Sequence, residues 1–277
     1  MLSSDDLSYY DAHLHLQDER LKEVITGLSK VYEEEHVAGV VVNGTRPEDW
    51  PAVLQLAVDY SFVIPSFGLH PWYVNEAPAD WQNALIHHLN EADKLNKPAG
   101  IGECGLDKWI RDYDLDAQKR AFLWQLELAA ERDLPLSIHC LKAWGTLYDV
   151  LRDVHKPKCG FLLHSYGGPA DMVDAFVDQG AYFSFSGYFA REDKSAKLEA
   201  FRKVPLERLL IETDAPDMSP PIESIVYPLF DENEKRIINH PGNIGSVYRL
   251  AAHCLEYNEE ELRKQVADNV QRFLGLS

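Results

Sequence analysis

Cysteine, basic charge and long apolar runs are all scarce in this chain of 277 residues, and each shortage removes a class of function. Cys104, Cys140, Cys159 and Cys254 show no C-x-x-C pairing, which argues against a zinc knuckle or a disulfide framework. No stretch approaches the apolar length that crosses a bilayer. The opening Met1-Leu2-Ser3-Ser4-Asp5-Asp6 has neither a basic lead nor an apolar core, so no secretory signal is expected there. These absences predict a soluble, cytoplasmic protein with no membrane partner, and nothing in the chain asks for an obligate protein partner. Lys and Arg number 27 against 45 Asp and Glu, a net charge of −18. Such a surface repels a phosphate backbone, whereas broad nucleic-acid binding relies on basic surfaces and counterion release. Any nucleic acid must then be gripped locally, by metal ions or a small basic patch, and a single-strand end fits that limit better than a long duplex.

What the chain does contain is a regular alternation. Eight short β-like runs are expected at Tyr9–Leu16, Ala38–Thr45, Phe62–His70, Ala99–Leu106, Leu134–Cys140, Gly160–Ser165, Ala181–Ser186 and Leu209–Asp214. Helix-length segments lie between them, among them Asp49–Tyr60, Asp80–Asn96, Asp116–Arg132, Thr146–His155, Ala170–Gln179 and Ala196–Lys203. In the segment from Asp116, the residues Gln118, Phe122, Gln125 and Ala129 fall on one stripe of period 3.6. Two further helices close the chain, one carrying Ile244, Val247, Leu250, Ala251 and Leu255, the other opening at Asn258 with Glu261 three residues on, a capping-box pattern. This order predicts an α/β fold, a (β/α)8 TIM barrel forming one domain over residues 1–277. A doubly wound open sheet is disfavoured because no Gly-rich phosphate turn follows the first strand. Residues 216–241 carry Pro220-Pro221 and the charged run Asp231 to Arg236. The segment reads as one long irregular loop, of a length that points to function rather than filler.

Five of the eleven histidines and two carboxylates fall where these runs end. On the first run Asp11, His13 and His15 share one face, while Ala12, Leu14 and Leu16 share the other. Two imidazoles about 7 Å apart on a strand can lean toward one divalent cation. In a barrel the carboxyl ends of the strands build the active site. The candidate metal ligands there are His13 and His15 on strand one, Glu103 on strand four, His139 on strand five, His164 on strand six and Asp214 on strand eight. Six mixed imidazole and carboxylate donors suit two divalent ions, with Glu103 between them as the bridge. Asp214 joins His13 and His15 across the closed seam, and His139 and His164 serve the second ion. Donor type leaves zinc, magnesium and manganese open. His36, His87, His88, His155 and His253 read as surface residues beside helices. Cys104 and Cys140 read as small core residues turned away from the site.

These residues carry a resemblance to the TatD family of metal-dependent deoxyribonucleases, within the amidohydrolase-like barrels. The matching segments run nearly end to end: DAHLHL at Asp11, GLHPW at Gly68, AGIGECGLD at Ala99, QKRAFLWQLELA at Gln118 and LPLSIHC at Leu134. They continue with FLLHS at Phe161, FSFSG at Phe183, LLIETDAPDMSP at Leu209, NHPGNI at Asn239 and NVQRFLG at Asn269. The resemblance implies that His13, His15, Glu103, His139, His164 and Asp214 bind metal, in agreement with their strand positions. Several positions depart from the family pattern. Lys142 stands where the family has arginine, which replaces a bidentate phosphate fork with a point charge. Trp72 stands where a second histidine is common, and Asp217 where an aromatic is. Ser165-Tyr166-Gly167-Gly168 replaces Cys-Phe-Ser-Gly, and the acidic segment 217–240 replaces a basic Arg-Gly-Lys stretch.

The expected activity is therefore 3′-5′ exonucleolytic hydrolysis of a phosphodiester, with single-stranded DNA or a 3′ end as substrate. Two divalent cations would activate water and stabilise the leaving oxygen, with Asp214 and Glu103 as the catalytic carboxylates. Asp214 is the candidate general base, His70 and Lys142 are candidates for contacting phosphate, and Asp11 for orienting His13. Asp107 reads either as a further site residue or as the cap of the next turn. The alternative is an amidohydrolase acting on an amide, ester or lactone, which the acidic composition favours. A third, non-enzymatic reading is an interaction protein that keeps a vestigial metal site.

Overall fold

The computed structural model describes residues 7–276. Eight parallel strands lie in chain order: β1 (Tyr9–Leu14), β2 (Val37–Asn43), β3 (Val63–Phe67), β4 (Gly100–Asp107), β5 (Leu136–Leu141), β6 (Phe161–Leu163), β7 (Ala181–Ser186) and β8 (Leu209–Glu212). The expected barrel is present. The strands are almost wholly buried, as strands covered by helices on one side and packed against one another on the other must be. Backbone hydrogen bonds from Asp214 to His13 (3.0 Å) and from His15 to Ala215 (2.8 Å) join the end of β8 to the end of β1. The curled sheet is thereby drawn closed at the point where three candidate ligands meet.

The outer layer comprises α1 (Lys22–Glu34), α2 (Trp50–Asp59), α3 (Trp81–Asp93), α4 (Leu115–Arg132), α5 (Trp144–Arg152), α6 (Val173–Val177), α7 (Ser195–Phe201), α8 (Ile244–Leu255) and α9 (Glu259–Phe273). Among the described residues, no helix is long and apolar enough to cross a membrane. Helix α9 opens as its sequence predicts: the Asn258 side chain accepts from the Glu260 and Glu261 amides, occupying two of the donors every helix start leaves free. The expected stripe of α4 is buried along its length, including Gln118 and Gln125. Helix α1 had no expected range; only Leu28 and Tyr32 of it are buried.

One expectation is corrected. The segment after β8 is not irregular throughout. Pro228–Asp231 (β9) and Arg236–Asn239 (β10) pair as an antiparallel hairpin, Arg236 opposite Asp231 and Asn239 opposite Pro228. Asp231 accepts from the Asn233 and Glu234 amides (2.7 and 3.1 Å) and shapes the turn. The hairpin is mostly solvated, so it lacks the apolar alternation by which a strand is recognised.

Candidate metal centre

Glu103 projects from β4 into the mouth of the barrel and is 4% exposed. Its two oxygens face different partners. Oε2 lies 3.5 Å from His13 Nε2 and 3.3 Å from His15 Nε2. Oε1 lies 2.9 Å from His139 Nδ1, 2.9 Å from His164 Nε2 and 3.2 Å from His70 Nε2. Asp214 Oδ1 completes the first side, 3.5 Å from His15 Nε2 and 3.9 Å from His13 Nε2. The structure thus brings together all six residues expected as ligands, with Glu103 in the middle and one set on each side.

Local backbone geometry makes this convergence possible. Gly105 in β4 has φ +143°, and a Cβ there would lie 2.0 Å from the carbonyl oxygen of His139. Only glycine lets β4 and β5 approach so closely beside the two candidate ligands Glu103 and His139. Asp214 adopts φ +51°, a left-handed conformation that aspartate tolerates better than most residues. It turns the chain as β8 ends.

For His15 and His139 the second nitrogen shows which atom is left for a cation. His15 Nδ1 lies 2.8 Å from the Asn43 carbonyl oxygen, which can only accept. Nδ1 therefore carries the hydrogen and the Nε2 lone pair is free. His13 Nδ1 is held by Ser137 Oγ at 2.8 Å. His139 Nε2 donates to Asp107 Oδ2 at 3.0 Å, leaving Nδ1 free. The free nitrogens of His15 and His139 each face a second imidazole, His15 Nε2 against His13 Nε2 at 3.3 Å and His139 Nδ1 against His164 Nε2 at 3.3 Å. Each of these lone pairs points at a carboxylate and a second ring nitrogen, an arrangement a positive charge between them stabilises, and outer partners that fix the tautomer are characteristic of histidine ligands. The donor set fits a divalent ion.

Electrostatics agree. Burial alone pushes the Glu103 carboxyl up, but the imidazoles around it, His70 and His164 foremost, hold it well below the usual carboxylate range. Burial lowers the His15 imidazole, and Asp214 and Glu103 more than reverse this, lifting it well above its ordinary value. His164 is raised in the same way against burial, chiefly by Glu103. This pull on positive charge is the one a cation satisfies.

His70 differs from the others. Its Nδ1 accepts the Trp72 amide at 3.2 Å, so Nε2 carries the hydrogen and presents it to Glu103. Burial holds its imidazole down at about 4. His70 is thus a neutral donor aimed into the site. Lys142 is exposed and its Nζ lies 4.0 Å from the Trp109 ring centroid; it is not among the residues lining the cavity of about 600 Å³ over the site. Arg20 and Arg46 do line that cavity. Arg20 is forked onto Asp18 and Asp217, and Arg236 reaches Asp217 at 2.9 Å.

One reading of a carboxylate changes, and another is resolved. Asp11 does not touch the His13 ring. Its Oδ1 accepts the amides of His13 (3.3 Å) and Thr213 (3.0 Å), and Oδ2 accepts the Thr213 hydroxyl (2.5 Å). Asp11 therefore ties the β1–β8 seam, and burial pushes its carboxyl up to about 8. Asp107 is both things expected of it: Oδ2 meets His139 and the Trp72 indole (2.6 Å), and Oδ1 caps the following turn through the Trp109 amide (2.5 Å). Glu212 was missed. It is fully buried, accepts the Ser165 amide and hydroxyl (2.8 and 2.5 Å), and lies 3.8 Å from His164 Nδ1. His13, His164 and Glu212 form a further group able to hold an ion. Strand alternation was the available signal, because Glu212 shares a face with Asp214. Of the histidines read as surface residues, His36, His87, His155 and His253 are exposed, whereas His88 is partly buried against Trp50 and Phe67.

Comparison with known proteins gives a consistent result. The family model described as TatD related DNase matches residues 10–275. A 3′-5′ ssDNA/RNA exonuclease TatD from Shigella flexneri is 32% identical over 243 residues, 87% of this chain and 89% of that protein. An uncharacterised metal-dependent hydrolase of Bacillus subtilis, YabD, is 27% identical over 271 residues, 97% of this chain and 99% of that one. Among solved structures, the TatD homologue YJJV of Escherichia coli superposes with a TM-score of 0.86 at 23% identity, covering 98% of this chain and all of that one.

Proposed function

Since the chain belongs to the TatD family of metal-dependent hydrolases, we propose that it removes nucleotides from the 3′ end of single-stranded DNA or RNA by hydrolysing phosphodiester bonds. One observation carries the reading: a buried carboxylate, Glu103, stands between two sets of imidazoles whose ring nitrogens converge on its two oxygens. His13, His15 and Asp214 would hold one divalent ion, His139 and His164 the other, with Glu103 shared. Such a pair of ions supplies charge to the phosphoryl oxygens and makes water acidic enough to attack near neutral pH.

The chain's own groups do the rest. Asp214, beside His15 and lining the cavity, accepts the proton of the attacking water at a carboxylate oxygen. His70 offers its Nε2 hydrogen to a phosphoryl oxygen once the substrate draws near. Arg46 lines the cavity with no carboxylate paired to its guanidinium among the described residues, whereas Arg20 is paired with Asp18 and Asp217. So little free positive charge on a chain of net charge −18 supports a short single-stranded contact over a long duplex. That relatives of similar length are described as ssDNA/RNA exonucleases supports the same substrate class. Four unbridged cysteines support a reducing, cytoplasmic setting. The amide, ester or lactone alternative draws on the acidic composition and on the missing basic Arg-Gly-Lys stretch, and the motif set does not favour it.

The test is hydrolysis of a 5′-labelled single strand by protein reconstituted with magnesium, manganese or zinc. Stepwise shortening from the 3′ end is expected. Glu103→Ala should lower turnover beyond the about 10- to 100-fold that loss of an outer hydrogen-bond partner costs at metal sites. Full activity in that variant, or turnover confined to a lactone and amide panel, overturns the reading.

A further inference from the structure

We infer that Trp72 is a base-stacking residue, its ring forming a wall of the metal-site cavity against which a nucleobase of the substrate strand lies. This inference rests on the phosphodiester reading above. Trp72 lines the same cavity as Glu103, His139 and Asp214, yet it is 49% exposed. A single exposed apolar side chain is unremarkable on a protein surface. This one is fixed in place. Its indole N–H donates to Asp107 Oδ2 at 2.6 Å and its backbone amide donates to His70 Nδ1 at 3.2 Å. Its ring meets His70 edge-on, 4.9 Å between centroids at 87°. Asp107 is itself fully buried and also holds His139, so the ring plane is set relative to a ligand of the site. A preorganised ring gives up little conformational freedom when a flat partner lands on it.

The neighbouring chemistry selects the partner. The other Asp107 oxygen receives the Trp109 amide. Trp109 is 64% exposed and carries the Lys142 ammonium 4.0 Å from its ring centroid. One buried carboxylate therefore fixes the Trp72 ring and, through its backbone amide, the residue that carries the Lys142 cation. Aromatic faces combined with local positive charge suit a single strand, which presents a π-face and a phosphate at every step. A small amide or lactone offers no such repeating pair.

The experiment compares two 5′-labelled single strands hydrolysed by the metal-reconstituted full chain, one normal and one whose last three nucleotides at the 3′ end are abasic. Wild-type KM should be higher for the abasic strand by about 5- to 150-fold, the equivalent of one base stacked on an aromatic ring. Trp72→Phe keeps an aromatic face and should retain most of that ratio. Trp72→Leu should bring it close to one. Disturbance of Asp107 or His139 by either substitution changes kcat on both strands alike and leaves the KM ratio intact, so the ratio reports stacking. A ratio that persists in Trp72→Leu, or is absent from wild type, overturns the stacking role alone. Wild-type protein that cleaves neither strand overturns the phosphodiester reading and this inference with it.

Discussion

At the scale of single residues, which nitrogen of each imidazole is free decides what the site can do. His15 and His139 spend one nitrogen on a backbone carbonyl and a buried carboxylate, and aim the other at the centre. His70 spends its lone pair on an amide and aims a hydrogen instead. Strand position alone located these histidines, because alternation along a strand reveals which face a side chain takes. It could not reveal tautomers, which depend on partners such as Asn43 and Asp107 brought in from other strands. Outside the site, His240 makes a testable case. It stacks on Tyr227 and its Nδ1 accepts the Gly242 amide at 2.9 Å. Burial lowers its imidazole from 6.5 to about 4. The unfolded chain therefore binds a proton at His240 over a range where the folded chain does not. Its contribution to stability is full above pH 6.5 and is lost as pH falls from there toward 4, amounting to at most about 3 kcal/mol. Urea unfolding of wild type and His240→Gln at pH 7 and pH 5 checks this: the wild type should lose stability more steeply. Parallel losses, or an NMR titration of His240 near 6.5, contradict it.

At the scale of elements, α4 positions the site without entering it. Gln125 brackets Leu69, accepting its amide at 2.8 Å and donating to its carbonyl at 3.2 Å, next to His70. Gln118 does the same to Asp107 at 2.9 Å in both directions. Two polar residues on an otherwise apolar stripe were visible in the sequence, and their burial follows from the period of 3.6. Their partners were not visible, since those lie on β4 and in the segment after β3. Gln118→Leu keeps roughly the same volume but strands the Asp107 amide and carbonyl, so a loss of about 1–3 kcal/mol is expected. The urea midpoint measures it, and an unchanged midpoint denies α4 this bracing role. The hairpin β9–β10 was illegible for a different reason. Its four-residue strands leave Phe230, Arg236 and Ile237 exposed, so neither face shows the alternation that burial imposes.

At the scale of the whole molecule, barrel closure is what turns six scattered residues into one site. Strand order and the position of each candidate ligand at a strand end were legible because alternating strands and helices leave a strong periodic pattern. The seam between the first and last strands was expected too, but the contacts that hold it were not legible, since they depend on Asp11 reaching Thr213 and on the left-handed turn at Asp214. The two-sided surroundings of Glu103 follow from that closure: β1 and β8 supply one side, β5 and β6 the other. The most direct measurement is a crystal structure of the metal-reconstituted protein with anomalous data collected at the edge of the added metal. Two anomalous peaks flanking Glu103, one beside His13, His15 and Asp214 and the other beside His139 and His164, are predicted. A single peak away from Glu103, or none at metal concentrations that support turnover, would contradict the account.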